Sequence, residues 1–360
     1  MTKFKEILKK NIYSRDDIIY LISQSEHEQL LFEKAYEVKK KYVGTNVYFR
    51  GLIELSNICT RNCFYCGIRK GNKNIDRFQL SKEDIVEKAI WAYEAGYGSA
   101  VLQGGERSDP EFINFIENVL KLITHKTNGK AGITLSLGEQ TEETYTRWLN
   151  AGAHRYLLRI ESSNPDIYHN IHPDRDKFSS RIAALKLIQK CGYQTGTGVM
   201  IGLPQQTYAD LADDILFFKE NDIDMIGMGP FIPHHDTPMA NAFDNFDQMA
   251  EEQLKLALRV IAVTRIIMKD INIASSTALQ ALDSKGRERG LLAGANIIMP
   301  NVTDTQYRKG YQLYDGKPGL DENCNSSRIN LEKSIHNTGE KIGYNMLGDS
   351  PHFFERIKNK

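Results

Sequence analysis

Net charge, long apolar runs and cysteine are all scarce in this chain. Its 46 basic side chains are balanced by 46 acidic ones. There is therefore no whole-chain case for nucleic acid or for an anionic membrane, both of which are met through excess lysine and arginine. The expected partner is a small molecule or a specific protein surface. No run of eighteen apolar residues occurs, and the start, M-T-K-F-K-E-I-L-K-K, is a charged amphipathic pattern unlike a secretory leader. This predicts a soluble, cytoplasmic protein with no membrane partner. Only 5 cysteines occur in 360 residues, and three of them lie within eight residues of each other. Such usage argues for a reducing compartment and against a disulfide framework. Low-complexity linkers are missing too, as is any internal repeat beyond a strand-helix unit.

What is present is concentrated in the stretch S-N-I-C-T-R-N-C-F-Y-C-G, from Ser56 to Gly67. It sets Cys59, Cys63 and Cys66 at C-x3-C-x2-C spacing, directly after the apolar run Val47 to Leu55. Thiolates so crowded cannot all form disulfides, and three soft ligands suit an iron-sulfur cluster or zinc better than a hard cation. A structural zinc site wants four protein ligands, usually as two separated pairs, and no second pair lies near these three in the chain. A cubane 4Fe-4S cluster on three cysteines keeps one iron free for a substrate. Zinc and an empty thiol cluster are the competing readings.

Residues 3 to 42 read as helices, with Ser14 capping D-D-I-I-Y-L-I, and are expected to cover a barrel end; Gly44 and Thr45 break the pattern. Strands are then expected at Val47 to Leu55, Ser99 to Gln103, Ile133 to Leu137, Arg155 to Ile160, Thr197 to Gly202, Met225 to Met228, Ile271 to Ser275 and Asn296 to Met299. Helical patterns separate them, with start signals at Ser81, Pro110 and Thr141. This alternation predicts an α/β fold with a parallel sheet wrapped by helices. Eight units in about 250 residues suit a closed (βα)8 TIM-like barrel, with an open doubly wound sheet as the alternative. The expected division is a helical extension over 1–44, a barrel over 45–310 and a short carboxyl-terminal appendage over 311–360. In either architecture ligands gather beyond the carboxyl ends of the strands, where the cysteine loop lies.

The three-cysteine run, with Tyr65 before its last member, resembles the signature of the radical S-adenosylmethionine (SAM) enzymes. Further segments narrow the resemblance: L-S-L-G-E from Leu135, R-Y-L-L-R-I-E from Arg155, G-P-F-I-P-H from Gly229, A-G-A-N-I-I-M-P-N from Ala293 and Y-Q-L-Y from Tyr311. Together they are similar to the HydE maturases of FeFe-hydrogenase and favour that family over biotin synthase and methylornithine synthase. The resemblance implies a complete barrel of the radical SAM type and a 4Fe-4S cluster on Cys59, Cys63 and Cys66, its fourth iron chelated by SAM. A one-electron reductant then drives cleavage of SAM to methionine and a 5'-deoxyadenosyl radical. It further implies work on the diiron subcluster, a cysteine-bound iron carbonyl cyanide unit as substrate, and sister hydrogenase maturases as partners. The alternatives are an amino-acid-derived substrate, as in methylornithine synthase, and a cluster carrier with no activity.

Gly104, Gly105 and Glu106 follow the second strand, where two glycines let a backbone approach a ligand. The resemblance gives this position the amino group of SAM, although most glycine pairs only make turns. Arg159 and Glu161 share strand parity and can both face the interior, where charges need partners or ligands. By resemblance Arg181 holds the SAM carboxylate, Glu161 contacts SAM and Tyr65 lies near the adenine. Arg159 is the candidate for a substrate carboxylate, against the plainer reading of an internal Arg–Glu brace. Thr134, Ser136 and Gly138 make one face of the third strand small and polar, with Ser136 toward the cofactor and Thr134 toward the substrate; filling of a tapering barrel is the competing account. Glu139 caps the next helix or touches SAM. Ser276, Thr277 and Tyr307 enter the substrate cavity by resemblance, and Met200 is a wall or a core residue. His234, His235 and Asp236 look like a metal cluster, but adjacent histidines on a strand point opposite ways, and Pro233 and Pro238 mark a rigid turn. Cys191 reads as a small buried hydrophobe. Cys324 stands alone, so no second cluster is expected.

Overall fold

The computed structural model describes residues 1–358. Its centre is eight strands: β1 (Asn46–Ser56), β2 (Ser99–Gly104), β3 (Gly132–Ser136), β4 (Arg155–Leu157), β5 (Gln194–Thr197), β6 (Met225–Ile226), β7 (Asn272–Ile273) and β8 (Ile297–Ile298). Each pairs in parallel with the next from β1 to β7, and β8 pairs back onto β1. A parallel bridge between Ala274 and Ile297 joins β7 to β8, with Ser275 N–H donating to Ile297 O at 2.9 Å. The ring closes, and the open-sheet alternative falls away.

The helices start where the sequence signals them. Ser81 Oγ accepts from Asp84 N–H at 3.1 Å, Thr141 Oγ1 from Thr144 N–H at 3.2 Å, and Pro110 opens its helix behind the Asp109 cap. Each cap satisfies an amide that the first turn leaves without a partner. The fifth strand departs from the apolar pattern. It begins at Gln194, while Met200–Ile201 pairs with Gly229–Pro230 in a separate two-stranded piece beyond the carboxyl ends. The true strand is hard to read because its polar side chains are buried with partners: Gln194 Nε2 donates to Asp349 Oδ1, and Thr195 Oγ1 to Tyr193 O.

The amino-terminal helices do not cover a barrel end. Arg15–Ser23 and Glu28–Tyr42 lie against the outer helices Tyr208–Glu220 and Phe246–Ile267. Arg15 pairs with Asp213 at 2.6 Å, and Arg259 Nε donates to Ile22 O at 2.8 Å. The lower mouth is filled by residues 341–349. Lys341–Ile342 pairs with the start of β1, and Gly348 O accepts from Arg50 Nη2 at 3.1 Å and Asn272 Nδ2 at 2.8 Å. Asp349 then accepts from Arg155 Nε at 2.9 Å. Two buried guanidiniums, Arg50 within β1 and Arg155 at the start of β4, thus find oxygen acceptors in this tail, while Arg50 Nη1 turns to Met225 Sδ at 3.1 Å. With the bottom plugged, a ligand reaches the interior from the carboxyl ends. No helix among the described residues is long and apolar enough to cross a membrane.

Candidate active site

A cavity of about 330 Å³ opens at those carboxyl ends. Loops after every strand contribute to its wall. Cys59, Cys63, Tyr65 and Cys66 come from the loop after β1, Gly104, Gly105 and Glu106 from the end of β2, and Ser136 from β3. Arg159 and Glu161 follow β4, Arg181 comes from the helix Phe178–Lys190, and Ser276 and Thr277 follow β7. Met200 lines it as well. Two expected residues do not. Thr134 sits one pleat below Ser136, its buried hydroxyl without a partner, and the Tyr307 ring packs on Phe78 with centroids 5.1 Å apart.

The cysteine loop is held by residues that carry no motif. Asn57 Nδ2 donates to Asp76 O and Gly310 O at 2.8 and 2.7 Å. Arg77 donates to four loop carbonyls, those of Asn57, Ile68, Arg69 and Asn72, at 2.6 to 2.9 Å. Gly105 presses on the loop from β2: a Cβ there would lie 2.3 Å from Ile58 O and 2.8 Å from Cys59 Cβ. The close approach lets Glu106 N–H donate to Cys59 Sγ at 3.3 Å and Thr60 N–H to Glu106 O at 2.9 Å.

All three cysteines are free. Burial raises each thiol, Cys63 to about 12 and Cys66 well above its ordinary value. Three thiolates in this place therefore require bound cationic metal to compensate them. Among the described residues, the group of three His, Cys, Asp or Glu donor atoms all within 4.8 Å of one another is His234, His235 and Asp315, not the cysteines. Among the described residues that line the cavity there is no histidine or fourth cysteine beside these three thiols. The set leaves a structural zinc one protein ligand short and fits a 4Fe-4S cluster held at three corners.

Beside the cysteines lies a charge network that the sequence does not announce. Arg61, inside the loop, pairs with Glu106, with Asp176 at 2.6 Å and with Glu139 at 3.2 Å. Arg181 approaches Glu139 at 2.9 Å and Glu106 at 3.6 Å. Glu139 thus belongs to this network, and Thr141, not Glu139, caps the next helix. Burial works against the charge of both arginines, but the carboxylates around them, Glu106 first, hold both above their ordinary value. Burial raises Glu139. The Arg181 Nε–H is buried and has no well-directed acceptor despite its nearness to Glu139. Gly138 makes room for the network, since a Cβ there would fall 2.1 Å from Glu106 Cγ.

Arg159 and Glu161 do brace each other, through contacts of 2.8 to 3.0 Å, while both line the cavity. Glu161 takes a left-handed backbone, φ 63°. That conformation costs a side-chain-bearing residue roughly 1–2 kcal/mol. It is held there by Met200 N–H donating to Glu161 O at 3.0 Å. Tyr65 meets His172 edge to face at 5.4 Å, and burial lowers His172 to about 4, leaving it neutral.

The carboxyl-terminal strap Tyr311 to Lys317 completes the wall with Tyr311, Leu313, Tyr314 and Lys317. Its outer tie is unexpected. The rings of His234 and His235 do not point apart but stack at 4.5 Å, because they sit on a turn rather than a strand. Asp315 accepts from His235 N–H at 2.9 Å and faces His235 Nδ1 at 2.7 Å, while Asp236 turns to Asn74. Asp236 N–H donates to His234 Nδ1 at 3.1 Å, which fixes the proton on Nε2 and removes the lone pair a metal would need. The group is a latch. Cys191 is half-buried, and Cys324 Sγ lies by Arg308 and Val302 O with no second cysteine.

Residues 53–218 match the radical SAM superfamily model. The chain is 42% identical over 341 residues to the FeFe hydrogenase maturase subunit HydE of Thermotoga maritima, covering 94% of each. It is 26% identical over 305 residues to 3-methylornithine synthase of Methanosarcina acetivorans, covering 84% of this chain and 83% of that one. Among solved structures, methylornithine synthase (PylB) superposes with a TM-score of 0.78 at 21% identity, over 95% of this chain and 97% of that one.

Proposed function

Since this chain belongs to the radical SAM superfamily, and within it to the HydE family, we infer that it helps build the diiron subcluster of FeFe-hydrogenase by radical chemistry on a small iron-containing substrate. The cofactors of the family are a 4Fe-4S cluster and SAM, and when bound they supply reductive cleavage of SAM to methionine and a 5'-deoxyadenosyl radical. The observation that carries this reading is one cavity lined by three half-buried cysteines and by cationic and hydroxyl side chains from beyond four further strand ends, those of β3, β4, β7 and β8.

The roles of this chain's residues follow from their chemistry. Cys59, Cys63 and Cys66 would hold the cluster, and the Gly105 contact with their loop fixes their spacing. Arg181, its guanidinium set between Glu139 and Glu106, would receive the SAM carboxylate, and the Gly104–Gly105 backbone would face the SAM amino group. Glu161 and Tyr65 would flank the nucleoside, with Tyr65 oriented by neutral His172. Arg159, Ser276 and Thr277 would take the substrate, a cysteine-bound iron carbonyl cyanide unit handed on by sister maturases. The plugged lower mouth and the strap above keep bulk water from the reacting centre.

The test is anaerobic reconstitution, reduction with SAM, and measurement of 5'-deoxyadenosine and hydrogenase activation. C63A is expected to abolish both while the barrel still folds. Iron-free protein, or zinc in the loop, would overturn the assignment. The 26% relative favours a second reading, an amino-acid substrate; turnover of ornithine- or lysine-like compounds without hydrogenase activation would select it.

A further inference from the structure

Glu161 lines the cavity from a backbone that a side chain disfavours. Ser162 N–H donates back to Ile160 O at 2.8 Å, which closes a three-residue turn around Glu161 at φ 63°. Turns of this hand are rare and strained, and they persist only where the surroundings over-determine them. One set of supports comes from the segment after β5. Ile160 N–H and Glu161 N–H both donate to Gly198 O, at 3.1 and 3.0 Å, and Met200 N–H donates to Glu161 O. On the outgoing side the next amide is that of Ser163, and it donates to Asp214 Oδ1 at 2.6 Å.

Asp214 reaches the turn from the helix Tyr208–Glu220, 51 residues further along the chain. It is fully buried, on the helix face that carries Leu211, Ala212, Ile215 and Phe218. Packing alone would favour another apolar side chain there, because a buried carboxyl costs stability unless its bonds repay it. The other acids of this stretch are engaged elsewhere: Asp213 pairs with Arg15, and Asp210 accepts from Asn164 Nδ2 at 2.7 Å and from the Thr207 amide. Asp214 Oδ2 and Ser163 Oγ are both buried without a partner among the described residues. The bond this carboxyl makes is thus to the backbone just past the strained turn. Burial pushes Asp214 up to about 7 against the pull of the Ser163 amide, and its carbonyl oxygen accepts in the charged and the neutral form alike.

We propose that Asp214 is a positioning residue for the reaction: by holding Ser163 N–H it keeps the turn wound and Glu161 directed into the cavity. This rests on the reading above that places Glu161 at SAM. An interaction made with SAM both before and during its cleavage acts on KM and leaves kcat in place, so a contact that works through Glu161 shows the same split.

The experiment measures 5'-deoxyadenosine release by the reconstituted, reduced enzyme across SAM concentrations, for wild type, D214L, D214N, E161A and the double variant D214L/E161A. Hydrogen exchange of the peptide covering Ile160 to Asn164 is read on each protein by mass spectrometry. D214L is expected to raise the KM for SAM about tenfold with kcat changed less than about threefold, and to speed exchange of that peptide about tenfold. D214N keeps the shape and an acceptor oxygen, so its KM and exchange should stay within about twofold of wild type. In the E161A background D214L should add less than about twofold to KM, because a residue that acts through Glu161 has nothing left to direct. D214A removes the same acceptor without added bulk and answers for D214L if that variant does not fold. The inference is overturned by a D214L KM within about twofold of wild type, by D214N failing as D214L does, or by D214L raising KM equally with and without Glu161. An unchanged KM in E161A refutes instead the placing of Glu161 at SAM. The exchange data then judge Asp214 alone: faster exchange in D214L but not in D214N supports the hold on the turn, and equal exchange in both overturns it.

Discussion

Replacing Gly105 by Ala tests whether the second strand sets the geometry of the cysteine loop. The new Cβ would stand 2.3 Å from Ile58 O, 2.7 Å from Ile58 C and 2.8 Å from Cys59 Cβ, where ordinary contact begins near 3.4 Å. Two of the three obstacles are backbone, so no side chain can swing aside. The loop must retreat by about 1 Å, an overpacking that costs roughly 1–3 kcal/mol. The retreat lengthens the bond from Glu106 N–H to Cys59 Sγ, now 3.3 Å, and the bond from Thr60 N–H to Glu106 O, now 2.9 Å. A displacement of that size at a reacting centre lowers rate by about 100-fold. Iron per chain after anaerobic reconstitution, the rate of 5'-deoxyadenosine release and the thermal midpoint are to be measured together. G105A should fold, melt a few degrees lower and release deoxyadenosine about 100-fold more slowly. Gly129→Ala is the control: it has open space around it and a φ of 70°, so it should lower stability without touching the rate. A G105A protein with full iron and a rate within threefold of wild type would refute the reasoning.

Asp349→Asn strips Arg155, fully buried, of its anionic partner and should cost about 3–5 kcal/mol in urea unfolding at pH 7. Burial opposes the Asp349 charge, but His154 and Arg155 overcome it and hold the carboxyl well below its ordinary range. Its stabilising contribution is therefore complete above the unfolded carboxylate pKa near 4 and is lost as pH falls through the lower folded value; a gap between wild type and variant that stays constant below about pH 4 would contradict this. Arg181→Lys keeps the charge but loses the fork, and the KM for SAM in deoxyadenosine release should rise by about tenfold or more. An unchanged KM would remove Arg181 from the SAM site.

The sequence by itself determined the chemistry and the architecture that carries it. Three soft ligands within eight residues specify a metal centre locally, whatever surrounds them. Strand-helix alternation, with caps at Ser81 and Thr141, specifies a parallel barrel and places the cysteine loop at its carboxyl ends. Arg159 and Glu161 do both reach the cavity, but the strand ends at Leu157 and Glu161 has a left-handed backbone, so the loop beyond the strand, not the period of two, aims them. The tertiary structure alone decided which charges meet. Arg61 is 45 residues from Glu106 and 115 from Asp176, and no local pattern encodes such a pairing. Tyr307 packs on Phe78 outside the cavity lining for a related reason: it sits on the short helix Thr305–Arg308, and the chain runs on before Tyr311, Tyr314 and Lys317 reach the wall. The same return sends Asp349 under the barrel to Arg155, 194 residues away, closing the end that the amino-terminal helices leave open. Buried charges must find partners wherever the folded chain supplies them, and only the completed fold puts those partners within reach.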